Sequence, residues 1–145
     1  MHLDRREREM NAREYLGQAW AIQKRIDTTR DELEKVESLL LQGVSFEEKL
    51  GSGDNNKNER VIFKILDLQE KLTHQLEDFI DALTEITHTI NQLDDANEVT
   101  VLYKRYIAFE KFSVIADEMN YSLRQTYRIH DQAVLSVQVI INNGI

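Results

Sequence analysis

The chain has no cysteine and no proline, and only five of its 145 residues are glycine. Without cysteine there is no disulfide, no thiolate zinc site and no cysteine nucleophile. Without proline, and with so little glycine, nothing forbids long unbroken helices. Long apolar runs are missing as well. None nears the ~18 residues of a membrane span, and the opening MHLDRREREM lacks the apolar centre of a signal peptide. A cytoplasmic protein with no membrane contact is therefore expected. Glycine-rich phosphate loops and nucleophile–base constellations are also wanting, which argues against an enzyme and gives no reason to expect a cofactor or a metal. Nor is there an excess of positive charge, the usual footprint of a nucleic-acid binder: the net charge is −8.

That charge is unevenly spread. Residues 97–145 hold five bases (Lys104, Arg105, Lys111, Arg124, Arg128) and five acids (Glu98, Glu110, Asp117, Glu118, Asp131), so the whole of the −8 falls on residues 1–96. An acidic bulk repels phosphate and discourages non-specific association, leaving a local basic face to dock.

The clearest pattern is a heptad. Tyr15, Ala19, Ile22, Ile26, Thr29, Leu33, Val36 and Leu40 alternate spacings of four and three, and only Thr29 breaks the apolar rule. They form one stripe on a helix from about Ala12 to Gln42, roughly 45 Å long at ~1.5 Å per residue. The segment 43–58, with its GSGDNNKN core, reads as a flexible loop. A second stripe follows in Val61, Ile65, Leu68, Leu72, Leu76, Phe79, Leu83, Ile86, Ile90 and Leu93. The two successive four-residue steps between Leu68 and Leu76 read as a stutter, which locally unwinds a supercoil.

Two long amphipathic helices joined by a loop predict an all-α fold with a long antiparallel, coiled-coil-like helical hairpin over residues 1–95. Leu16, Trp20, Ile62, Phe63, Leu66 and Ile80 lie off both stripes. Either a homodimer covers them through the hairpin, or the C-terminal helices fold back over them. ExxH at Glu85 and His88, and the i, i+4 pair His74 and Asp78, resemble metal-site spacings, but both fall off the seam and read as solvated.

Residues 96–145 read as a three-helix unit with helices near 98–109, 112–119 and 123–140. Asp95 or Asn97 can cap the first. Phe112, Ile115, Ala116 and Met119 share one face. Asn120 tolerates the left-handed conformation that ends a helix, and Ser122 with Gln125 has capping-box spacing. Thr126, Ile129 and Ala133 then point inward. This is a helix-turn-helix, and it places Leu123, Arg124, Tyr127 and Arg128 outward on the first turns of the last helix. Arginine forks match guanine edges and phosphates, leucine can touch a thymine methyl and tyrosine can stack. Ser122 and Gln125, at the helix start, belong to the same candidate DNA-binding set, and Lys104, Arg105 and Lys111 are candidate phosphate clamps. His130 reads as a helix-surface residue or phosphate contact. The bland alternative is a three-helix bundle whose arginines merely face solvent.

The stretch RYIAFEKFSVIADEMNYSLRQTYRIH resembles, without gaps, the fourth conserved region of bacterial sigma factors, which holds the −35 promoter element. From Met10 onward, through MNAREYLGQAW, KRID, the polar mid-chain loop and the sigma-like tail, the chain resembles the ArpU-like and RinA-like late-transcription regulators of phages and prophages of Gram-positive bacteria. Residues 1–9 look like an extension. Lys111 stands where a Ser or Thr cap is usual, a loss of about 1 kcal/mol; Asn120 replaces a glycine and Thr126 an inward Val or Ile. The resemblance implies double-stranded DNA as partner and regulation of late or packaging genes. Two further readings stay open: a module that binds RNA polymerase or a sigma factor, and a DNA-packaging adaptor of ring form. The sigma segments that melt promoters have no counterpart here.

Overall fold

A computed structural model describes residues 11–50 and 55–144, with residues 43–50 and 55–56 described by backbone alone. The described residues form six α-helices and one π turn, with no strand: α1 Ala12–Leu16, α2 Gln18–Leu50, α3 Asn55–Ile90, α4 Ala96–Leu102, the π turn Tyr103–Ile107, α5 Phe112–Met119 and α6 Leu123–Asn142. The protein is thus all-α, a long helical pair followed by a helix-turn-helix. The backbone is helical through 43–50 and again from Asn55, where a loop over 43–58 was expected. One glycine and no proline in 43–50 leave helix open to that segment. The remainder of the expected loop, 51–54, and the extension 1–9 lie outside the described residues.

The first helix is not continuous from Ala12. Asn11 caps α1, its Oδ1 accepting from Glu14 N at 2.9 Å, and the chain then turns at Gly17. A Cβ there would sit 3.2 Å from the Arg13 carbonyl oxygen, a crowded approach that glycine avoids.

Packing divides the chain into two units: Ile22–Phe79, and the described residues up to Ala21 together with those from Ile80 onward. This division does not coincide with the boundary near residue 95 that the sequence suggests. In the unit Ile22–Phe79, α2 and α3 run antiparallel. Ile26, Thr29 and Leu68 are buried along the seam, and Lys64 Nζ reaches Glu32 Oε1 across it at 3.4 Å. That exposed ion pair fixes register more than it adds stability.

The α3 seam carries a correction. Gln75 is half-buried while Leu76 is 36% exposed, so the inward positions are 61, 65, 68, 72, 75 and 79. The expected stutter is an unbroken 4-3-4-3-4 heptad with an amide inside it, and Gln75 Oε1 is buried without a hydrogen-bond partner.

In the other unit, α1, the start of α2, the end of α3, α4, α5 and α6 enclose a core of Leu16, Ala19, Ile86, Ile90, Val101, Leu102, Ile115, Ala133 and Val137, each 0% exposed. Leu16, off the heptad stripe, is therefore covered by folding back. Gln138 Oε1 on α6 accepts from Ala12 N at 2.8 Å, and Tyr15 Oη and Thr89 Oγ1 share a hydrogen bond of 2.7 Å. Ile62, Phe63 and Leu66, in the first unit described, stay exposed.

Candidate nucleic-acid interface

Asp95 opens the C-terminal helices, its side chain accepting from Asn97 N at 2.8 Å and Glu98 N at 3.1 Å. Helix α4 passes into the π turn, with Ala108 N donating to Tyr103 O at 3.0 Å, and Phe109 follows at φ 58°. A left-handed phenylalanine is an uncommon, strained conformation. It reverses the chain into α5 where no glycine is available, and composition gives no hint of it.

The helix-turn-helix is built locally. Asn120 adopts φ 58°, ψ 38°, as its residue type suggested. Tyr121 N donates to Ala116 O at 2.9 Å and Asn120 N to Asp117 O at 3.3 Å. This paired pattern is the Schellman ending of a helix, and it satisfies two otherwise orphaned carbonyls. Ser122 Oγ then accepts from Gln125 N at 3.1 Å, starting α6. Ile115 and Ala116 on α5, with Thr126 and Ala133 on α6, are buried at the crossing. Lys111 precedes α5 without a side-chain cap.

Outside this crossing, Ser122, Leu123, Arg124, Gln125, Tyr127, Arg128 and Lys111 are all exposed. Among the described residues the side chains of Arg124 and Arg128 make no hydrogen bond or ion pair. They lie four apart on the outward face of α6. Tyr127 leans on Phe112, with ring centroids 4.6 Å apart. Arg128 also lines a shallow groove with Asp95, Asn97 and Glu98.

The two other expected clamps are placed differently. Arg105 is half-buried; its Nη1 donates to Glu110 O at 3.0 Å and its guanidinium lies 4.4 Å over the Phe112 ring. Lys104 pairs with the Glu118 carboxylate. That hydrogen bond lowers Glu118 and raises Lys104, while burial and then the Glu118 carboxyl raise Glu110. A phosphate would have to displace protein partners from both bases.

His130 is buried, contrary to the surface position expected of it, at 2% exposure. Its Nε2 and the Tyr106 hydroxyl are 2.7 Å apart, and its Nδ1 lies 3.1 Å from Asp131 Oδ1. Phe112 meets the ring edge-on at 4.9 Å, and Arg13 Nη2 donates to the same Asp131 oxygen at 3.2 Å. Neutral His130 fits these partners when Nδ1–H donates to the carboxylate and Nε2 accepts from the phenol. Burial lowers its pKa, opposed by the Asp131 bond. Asp131 is lowered in turn, first by His130 and also by Arg13. The spacing 126, 130, 133, 137 carried this signal, because all four positions share one helix face. The unit thus holds a polar cluster that ties α1, the π turn and α6 together.

Glu85 and His88 are exposed, as are His74 and Asp78. His74 lies 3.8 Å from Glu70 and 3.7 Å from Glu77. Among the described residues no group of three or more His, Asp or Glu is arranged to hold a metal ion, and no helix is long and apolar enough to cross a membrane.

Fold and surface together define an all-helical protein with a helix-turn-helix whose second helix exposes two unpaired arginines. The chain belongs to the family described as "Protein of unknown function (DUF1492)", whose model matches residues 39–138. No curated protein and no solved structure matches it.

Proposed function

We propose that the protein is a sequence-specific DNA-binding transcriptional regulator of phage type, acting on late or packaging genes. Helix α6 enters the major groove and α5 lies across the backbone, the usual docking of this motif. Arg124 and Arg128 contact base edges or phosphates, Leu123 and Tyr127 add apolar and stacking contacts, and Lys111 meets phosphate. A homodimer formed through the helical pair presents two such helices to two half-sites. The gene class follows from the resemblance of the chain to ArpU-like and RinA-like regulators. The observation that carries the DNA reading is the pair of exposed, unpartnered guanidiniums of Arg124 and Arg128 on the outward face of a capped helix. Selection of bound sequences from random duplex DNA supplies an operator. An Arg124→Ala, Arg128→Ala protein should keep its helix content and lose operator affinity at least tenfold, since each good arginine contact is worth ~1–3 kcal/mol. Undiminished binding removes the reading.

A second reading has its own support. Lys104 and Arg105 are engaged within the protein, and the tail carries no net charge, which suits a surface that docks on RNA polymerase or a sigma factor. Salt separates the two. Binding through several phosphates weakens steeply and log-linearly with salt; a polymerase contact without DNA does not follow that slope.

A further inference from the structure

Helix α3 carries a second heptad beside its seam. Ile62, Leu66, Gln69, Thr73 and Leu76 alternate spacings of four and three, all within the unit Ile22–Phe79. Ile62 is 45% exposed, Leu66 53% and Leu76 36%, and Gln69 and Thr73 are exposed between them. Over residues 22–37 nothing comparable flanks the α2 seam, where Gln23, Asp27, Arg30, Glu34 and Glu37 hold the equivalent positions; beyond them Leu39 and Leu41 are exposed, at 56% and 73%. A row of apolar side chains at this repeat is filled by another helix of the same repeat, and the exposed face of α2 supplies no such row over residues 22–37.

We infer that the occupant is a second copy of α3, seated antiparallel about a two-fold axis near Lys71. This gives physical form to the dimer in the function proposed above, though it stands without any DNA contact. From Leu66 to Leu76 the pattern reads alike in both directions about that axis. Leu66 meets Leu76 of a second copy, and Gln69 meets the second copy's Thr73. Each apolar layer therefore faces an apolar layer, and the two polar positions face each other. Thr73 Oγ1 already donates to Gln69 O within its own helix, at 2.9 Å, so its lone pairs are free to accept from the opposing Gln69 amide. An unrelated apolar groove would leave that amide without a partner, which is costly on burial. A self-complementary patch of this kind is what a closed two-fold dimer requires. Glu70 lies on the rim beside its own symmetry mate, a like-charge contact that salt relieves.

The test uses the full chain without DNA. Light scattering should give twice the chain mass, undiminished by added salt. Ile62→Lys with Leu66→Lys should weaken self-association at least about a hundredfold, with unchanged circular dichroism because both side chains are already exposed. Gln69→Leu should tighten the dimer, since a polar side chain in a helical seam costs stability. Direction is read by oxidation, which is clean in a chain without cysteine. Leu66→Cys alone should not cross-link, because antiparallel pairing holds the two copies of residue 66 ten residues apart, about 15 Å. Leu66→Cys mixed with Leu76→Cys should. A monomeric wild type, a dimer that survives the double lysine variant, or self-cross-linking of Leu66→Cys overturns the inference. None of these results bears on whether Arg124 and Arg128 bind DNA.

Discussion

Replacing Tyr106 by Phe removes one oxygen and tests what holds α6 in place. In the folded protein the phenol is the partner of His130 Nε2 at 2.7 Å, on an imidazole whose side chain is 3% exposed. Water cannot readily substitute there, so deleting the hydroxyl leaves a buried acceptor unsatisfied. Such a loss costs about 1–3 kcal/mol, more than the net worth of the hydrogen bond itself. In a domain of this size that corresponds to a fall in Tm of roughly 3–10 °C. The lone tryptophan, Trp20, lies in the same packing unit as Tyr106 and His130, so its fluorescence in a urea titration at pH 7.5 follows the relevant unfolding. The midpoint should drop with the slope unchanged. In a His130→Phe background no acceptor remains, and Tyr106→Phe should then cost less than about 0.5 kcal/mol, because the coupling belongs to the pair. A loss below that size in the wild type, or equal losses in both backgrounds, refutes the assigned hydrogen bond.

The same histidine predicts acid sensitivity. Its pKa is lowered from 6.5 by burial, so in the window from 6.5 down to its folded value the unfolded chain binds more protons. Stability is full above 6.5 and falls as pH drops through that window; thermal melts at stepped pH should show this slope, and His130→Phe should flatten it. Asn120→Ala, at φ 58°, should lose about 1 kcal/mol, as a residue without a local polar side chain bears the full left-handed penalty; a chemical denaturation curve indistinguishable from wild type would contradict the turn geometry. Ser122→Ala should lose about 1 kcal/mol with the cap to Gln125 N, read from the same curves.

How far the sequence could be read depended on whether residue type and residue position pointed the same way. Along α1 and α2 they agree. The stripe from Tyr15 to Leu40 is buried or half-buried at every position, because 3.5-residue spacing and apolar character coincide. The helix-turn-helix was legible for a similar reason: Asn120, Ser122 and Gln125 are residues whose side chains favour the backbone states they adopt. Gln75 and His130 broke the agreement. Both stand at inward positions of their helices, and both were passed over because a polar side chain suggests solvent. Beside Gln75 the apolar Leu76 completes the apolar pattern, and the pattern therefore shows a stutter that the burial of α3 does not have. The π turn and left-handed Phe109 follow from how α4 must meet α5, a tertiary demand that leaves no mark on local composition.

The inward position of His130 bears on the proposed DNA contact. His130 being inward removes one apparent phosphate contact, and the internal partners of Lys104 and Arg105 occupy two more. What remains outward on the helix-turn-helix is a narrower set, with Arg124, Arg128 and Lys111 as its bases. A surface with three free cations neutralises few phosphates, so non-specific affinity should be weak, and a single copy would hold its site poorly. Two linked copies change that: once one reading helix is bound, the second binds at a high effective concentration. The proposed DNA contact by the sparse basic face of α6 and the proposed pairing of the α3 heptad are therefore complementary. On the proposed reading, a chain that dimerises needs few charges per copy to recognise DNA, and its overall acidity would suppress wandering along the wrong sequence.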